Sequence, residues 1–183
     1  MKVWANAIAY QLVWFAAVWG ASVGHWWLAP LALLPFAGWY LTRPDGRIDA
    51  RLMAVAVLVG ITLDSTLAAS DLVAYASAVP SQHAAPVWIV AIWAAFALTL
   101  RHSFRFLHGR LALAAALGAI GAPLAFLGAA RGWHAVAFPR GTLAAVIALG
   151  LGWLIALPTL IALAQRFERT RVPSAPGKSA HVA

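Results

Sequence analysis

Long apolar stretches separated by short polar segments occupy most of this chain. Their residue ranges are 4–23, 26–42, 52–72, 87–107, 111–130 and 142–164. A helix needs about 20 mostly apolar residues to cross the hydrocarbon core of a bilayer, and none of these stretches alternates with the period of two that barrel strands show. The pattern therefore predicts an all-α fold, a polytopic membrane bundle of six transmembrane helices within residues 1–165.

Basic residues between the stretches predict the orientation of this bundle. If successive spans alternate in direction, 11 of the 13 Lys and Arg residues lie on one side, and only Arg131 and Arg140 lie on the other. Cytoplasmic segments carry the excess of Lys and Arg, so both termini are expected in the cytoplasm. Residues 166–183, with Pro173 and Pro176, are expected to form a disordered basic cytoplasmic tail.

Composition excludes several classes of protein. Of the 183 residues, 63% are hydrophobic and 10% are charged, whereas soluble domains average about 45–50% and about 25%. A soluble domain of this size could not bury so much apolar surface. The net charge of +8 is explained by the basic residues on the predicted cytoplasmic side. The expected partner is therefore the lipid bilayer and not nucleic acid.

The sequence lacks the usual motifs of cofactor and metal sites. It contains no cysteine, no phosphate-binding glycine loop, no HExxH and no GxSxG. His25, His83 and His134 lie in segments on the outer side without the spacing of helical metal ligands. We therefore expect neither a metal ion nor a cofactor.

Asp64 is the strongest candidate for a functional residue, because a carboxylate in mid-span costs about 2.5–3.5 kcal/mol on insertion scales. Gly60, Asp64, Ala68 and Asp71 follow one helical stripe, which should face the bundle, with Asp71 near the outer surface. One interpretation is a carboxylate that carries a proton or coordinates a cation. The other is a packing residue that joins helices through Thr62, Ser65 or Thr66.

Polar residues at the end of the fourth stretch form a second group of candidates. At 100° per residue, Thr99, His102 and Ser103 share one face and should point into the bundle. His102 could accept a proton or hold the helix end. Charged side chains on the other side should form a cytoplasmic rim; we assign to it Arg101, Arg105 and Arg110.

Two amides lie inside the first stretch. Asn6 is close to the cytoplasmic end and could pair with His102 or Ser103, while Gln11 lies on another face. Amide contacts between helices are ordinary in membrane bundles, so packing is the simpler role for both. The tryptophans deeper in the stretches are also interpreted as packing residues; they are Trp14, Trp19, Trp93 and Trp153.

Several short strings resemble a bacterial integral-membrane family, domain of unknown function 2878. They include Asn6 and Gln11 with Trp14 in the first stretch, and the third-stretch string around Asp64. Further on they include the string that begins at Pro86, and the string Gly-Ala-Ile-Gly-Ala-Pro-Leu over residues 118–124. The resemblance implies a membrane protein whose genes neighbour those of fatty-acid-modifying enzymes, and so a role in membrane-lipid or stress physiology.

Three functions are therefore compatible with the sequence. The first is an accessory or scaffold protein for a membrane-associated lipid-modifying enzyme, with the polar residues as packing groups. The second is a small proton- or cation-coupled transporter that uses Asp64, with helices broken at Pro30, Pro35 and Pro123 providing movement. The third is an intramembrane enzyme acting on lipid, which requires Asp64 and His102 within hydrogen-bonding reach. The sequence leaves the oligomeric state open.

Overall fold

Six α-helices make up most of the chain in the computed structural model, which describes residues 2–170. They are α1 (Lys2–Ser22), α2 (Leu28–Leu41), α3 (Gly46–Ala69), α4 (Val87–Ala97), α5 (Leu111–Trp133) and α6 (Thr142–Arg169). Three of them, α3, α5 and α6, are long and apolar enough to cross a membrane. The predicted all-helical class is confirmed by this architecture, together with the order of the six helices.

Two very short strands join the loops that follow α3 and α5. Strand β1 (Ala74–Tyr75) pairs antiparallel with β2 (Val136–Ala137), with Tyr75 opposite Val136. The pairing holds the loop after α3 against the end of α5. It thereby fixes the position of Tyr75 beside the helices.

The short helix α4 lies at the centre of the bundle. Eight of its 11 residues are buried, and it packs against α1, α2 and α3. Helices α5 and α6 form a second closely packed pair. It contacts the rest of the bundle mainly where α6 packs against α3, and to a smaller extent where α5 meets α1. The outer surface exposes many large apolar side chains, such as Trp4 and Leu143, as expected for contact with lipid.

The fourth apolar stretch is not one helix. Helix α4 ends at Ala97, and the backbone then continues through turns to a short 3-10 helix at Arg105–Leu107. In these turns several N–H groups reach back three residues, as from Leu98 to Ala95 and from Thr99 to Phe96. A helix of 11 residues, such as α4, is only about 16 Å long. The expectation of a continuous helix over residues 87–107 is therefore wrong.

Other helix boundaries also differ from those expected. Helix α6 continues to Arg169, so residues 166–169 are helical and not part of the predicted tail. Residues 171–183 lie outside the described residues. Helices α2 and α5 run without interruption through Pro35 and Pro123, so neither is broken as the transporter hypothesis supposed.

Candidate functional site

Asp64 lies buried in α3, and both oxygens of its carboxylate accept a hydrogen bond from an aromatic side chain. The Tyr75 hydroxyl donates to Oδ1 at 2.6 Å, and the Trp93 indole N–H donates to Oδ2 at 2.6 Å. Asp64 is 1% exposed. The carboxylate is thus enclosed by two donors from separate parts of the chain.

A glycine allows Trp93 to reach this carboxylate. Gly60 lies one turn before Asp64 on α3, and the Trp93 ring occupies the space that a Cβ atom would take at Gly60. Tyr75 is placed by the β1–β2 pairing. Burial raises the pKa of the Tyr75 hydroxyl well above its ordinary value, and the nearby Asp64 carboxylate adds to the rise. Tyr75 therefore stays protonated and acts as the donor.

The partners of Asp64 are not the neighbours that the sequence indicated. The Thr62 hydroxyl donates to the Leu58 carbonyl, one turn back on the same helix. The Ser65 hydroxyl accepts from the Ala85 N–H. The expected stripe is correct in that Asp64 faces the interior, and Asp71 is exposed, 4.0 Å from Arg140.

One of the two aromatic donors, Trp93, also forms part of the wall of a cavity, and the other, Tyr75, contacts a residue of that wall. The Trp93 ring stacks on Trp153 at 4.5 Å, and Tyr75 makes an edge contact with Phe126 at 6.4 Å. The cavity has a volume of about 390 Å³, and its wall includes Trp93, Trp153 and Phe126. Trp93 was expected to serve packing alone, but it links the buried carboxylate to the cavity.

The cavity opens at the surface of the bundle, between α1 and α5. At its edge, Gln11, Leu117 and Gly121 are exposed. Beyond it, α1 and α5 meet where Trp14 packs against Trp133, with ring centroids 5.8 Å apart. Gln11 was expected to be buried; it is instead exposed at the cavity mouth, because it lies off the face that α1 turns towards α4.

Asn6 joins α1 to the turns that follow α4. Its Nδ2 donates to the Leu98 carbonyl at 3.0 Å, and its Oδ1 accepts from the Ser103 N–H at 3.2 Å and hydroxyl at 2.7 Å. The pairing with Ser103 is one that the sequence anticipated. Thr99 is buried, and its hydroxyl donates to the Phe96 carbonyl at 2.6 Å. These bonds satisfy backbone groups that the broken helix leaves free.

Arg101 is buried among carboxylates at the same end of the bundle. Its guanidinium lies 3.0 Å from Asp49, 2.9 Å from Glu168 and 3.8 Å from Asp45. We call these four residues the Arg101 cluster. The expectation that Arg101 belongs to an exposed rim is wrong, because residues 98–104 are not helical and the angular argument fails there. Arg105 and Arg110 are exposed, as expected.

His102 lies beside this cluster and away from the cavity wall. Its Nε2 is 3.5 Å from an Asp49 oxygen, and its ring lies 4.4 Å from that of Tyr40. Nε2 makes no hydrogen bond, because 3.5 Å is too long for a strong one. Its contacts are therefore with Asp49 and Tyr40, whereas Asp64 bonds Tyr75 and Trp93. Thr99, His102 and Ser103 do not form one polar face.

Sequence reasoning missed four residues that define these sites. Tyr75 and Trp93 could have been found from the rule that buried phenol and indole groups require a partner. Asp49 and Glu168 could have been found by asking which carboxylates neutralise Arg101. Within residues 2–170, no three His, Cys, Asp or Glu side chains are placed to hold a metal ion.

The fold and these sites define a helical protein with three helices capable of crossing a membrane, a buried carboxylate and an apolar side cavity. The chain belongs to the family described as protein of unknown function (DUF2878), whose sequence profile matches residues 3–159. The resemblance seen in the sequence is thereby confirmed. No curated protein and no solved structure matches the chain.

Proposed function

We propose that this protein is an accessory or scaffold protein of membrane-lipid modification that holds a lipid acyl chain in the cavity between α1 and α5. The observation that carries the proposal is the cavity itself. Its volume of about 390 Å³ lies in the range of ligand sites. Its wall is mostly aromatic and aliphatic, and it opens where the chain exposes apolar surface, so a lipid tail can enter from the side.

Asp64 supports this role by fixing the cavity wall. Through Trp93 it orients the ring that stacks on Trp153, and through Tyr75 it holds the ring that contacts Phe126. A fixed wall favours binding of a chain of defined shape over transport, in which a carboxylate must exchange its partners. Asp64 is thus a positioning residue in this proposal.

The two other hypotheses have less support. A proton-coupled transporter requires access to Asp64, and both of its oxygens are occupied by Tyr75 and Trp93. An acid–base enzyme using Asp64 and His102 requires the two groups to meet, and each has different partners. We therefore favour the accessory role in membrane-lipid modification, with any effect on stress physiology following from the changed lipids.

The proposal includes six membrane crossings with both termini in the cytoplasm of the bacterial inner membrane. The distribution of Lys and Arg supports it. Reporter fusions after residues 24, 44, 80, 109 and 140 should give alternating periplasmic and cytoplasmic signals, starting with periplasmic at residue 24. Two adjacent fusions on the same side would contradict six crossings.

A substitution that fills the cavity tests the lipid-binding role. A Cβ atom at Gly121 would meet no atom within 4 Å, and Gly121 lines the cavity, so Gly121→Phe adds a ring at the cavity mouth without backbone conflict. Gly128→Phe is the matched control, because Gly128 has equal space two turns along α5 but does not line the cavity. Purified in lipid nanodiscs, the wild type and Gly128→Phe should retain a bound lipid in native mass spectrometry, and Gly121→Phe should lose it.

The same variants test the cellular role. In a deletion strain, the wild type and Gly128→Phe should restore the fatty-acid profile measured by lipidomics, and Gly121→Phe should not, although it accumulates normally. An unchanged profile in the deletion strain would contradict a role in lipid modification. Equal lipid retention by all three purified proteins would contradict the cavity as the binding site.

A further inference from the structure

We propose that a second cavity, between the start of α3 and the end of α6, binds the phosphate of an anionic phospholipid. It is separate from the acyl-chain cavity and shares no lining residue with it. Its volume is about 490 Å³, and its lining residues are Pro44, Asp45, Arg47, Ile48, Arg51, Phe167 and Thr170. We call it the Arg47–Arg51 pocket.

The charge of this pocket is not balanced within the described chain. Arg47 and Arg51 lie one turn apart on α3, both are exposed, and neither forms an ion pair within residues 2–170. The carboxylates that could neutralise them are held elsewhere, because Asp49 and Glu168 pair with Arg101. Two guanidinium groups therefore remain available to an anion.

Asp45 reduces this positive charge only in part. It lines the pocket and lies 3.8 Å from Arg101, so its charge is shared with the Arg101 cluster. Arg166 and Arg169 are exposed on the last turns of α6, beside Phe167. The lining of the pocket thus has an excess of positive charge from α3, the two α6 arginines lie outside the lining, and guanidinium groups match phosphate oxygens in geometry.

The apolar part of the lining indicates a lipid over a free phosphate ion. Ile48 and Phe167 line the pocket beside the arginines. A free phosphate would gain nothing from these side chains, whereas a phospholipid places its glycerol and first methylene groups there. The pocket also lies where two of the long apolar helices end, which is the level of lipid headgroups.

Nanodiscs of defined composition test this site. The wild type should unfold at a temperature about 2–4 °C higher in phosphatidylcholine with phosphatidylglycerol than in phosphatidylcholine alone. The double variant Arg47→Gln, Arg51→Gln should lose this shift. The control Arg105→Gln, Arg110→Gln removes the same charge from exposed residues that do not line the pocket and should keep it.

Three outcomes would overturn the proposal. No shift in the wild type would exclude a specific lipid, and an equal loss in both double variants would show general attraction to an anionic surface. An equal rise when inorganic phosphate is added to phosphatidylcholine nanodiscs would assign the pocket to a free ion. The first cavity is unaffected by any of these results, because the Arg47 and Arg51 variants leave its lining intact.

Discussion

At the scale of single residues, the contact between Gly60 and Trp93 sets the environment of the buried carboxylate. The indole that donates to Asp64 occupies the space a Cβ atom would take at position 60, and only a residue without a side chain leaves that space. Leaving a buried carboxylate oxygen without its donor costs about 1–3 kcal/mol or more. The glycine is thus as important to the site as the acid.

Gly60→Ala should destabilise the protein by about 1–3 kcal/mol, because the new methyl group displaces the Trp93 ring from its place over α3. Gly38→Ala is the control, since a Cβ at Gly38 meets no atom within 4 Å and alanine favours a helix. The measurement is the midpoint of thermal unfolding. Equal midpoints for the two variants would show that the contact is not needed.

Asp64 itself could be identified from the sequence, but its role could not. A lone carboxylate in an apolar stretch is visible in the pattern, and its stripe on α3 was correct. Its donors lie 11 and 29 residues away, and no local periodicity relates them. Polar neighbours such as Thr62 and Ser65 were plausible partners, but they bond backbone groups instead.

At the scale of elements, the end of α4 depends on a side chain from α1. A helix that stops inside an apolar protein leaves carbonyl and N–H groups that must find partners. Asn6 supplies both a donor and an acceptor to residues 98 and 103. The early end of α4 and the position of Asn6 are therefore one structural feature.

Asn6→Ala should destabilise the protein by about 1–3 kcal/mol, because it leaves the Leu98 carbonyl and the Ser103 N–H without their partner. Hydrogen exchange of the amides of residues 98–104 should accelerate more than exchange within α5. Gln11→Ala is the control on the same helix, as Gln11 is exposed and makes no hydrogen bond in the part of the chain described. Unchanged exchange at residues 98–104 would contradict the role of Asn6.

At the scale of the whole molecule, the Arg101 cluster joins three parts of the chain that are distant in sequence. The guanidinium contacts α3 through Asp49 and α6 through Glu168, from the turns after α4. Removing one partner of a buried ion pair costs about 3–5 kcal/mol, because the remaining charge stays buried. This end of the bundle therefore depends on one side chain.

Arg101→Met should strongly destabilise the protein, by about 3–5 kcal/mol, because it leaves the Asp49 carboxylate buried without its cation. The double variant Arg101→Met, Asp49→Leu should recover most of the loss, since it removes both charges. Arg105→Gln, at an exposed position nearby, should have little effect. If the double variant were no more stable than Arg101→Met, the pairing would not be the cause.

The helical class, the order of the six helices and the family could all be predicted from the sequence. The class and the order of the helices follow from the length and apolarity of the stretches, because in apolar surroundings every backbone group must be paired within its own segment. The family follows from short residue strings. The early end of α4, the burial of Arg101, the donors to Asp64 and the two cavities are visible only in the folded molecule. Each of these depends on side chains that meet across long sequence separations, where helical periodicity carries no information about which partners are in reach.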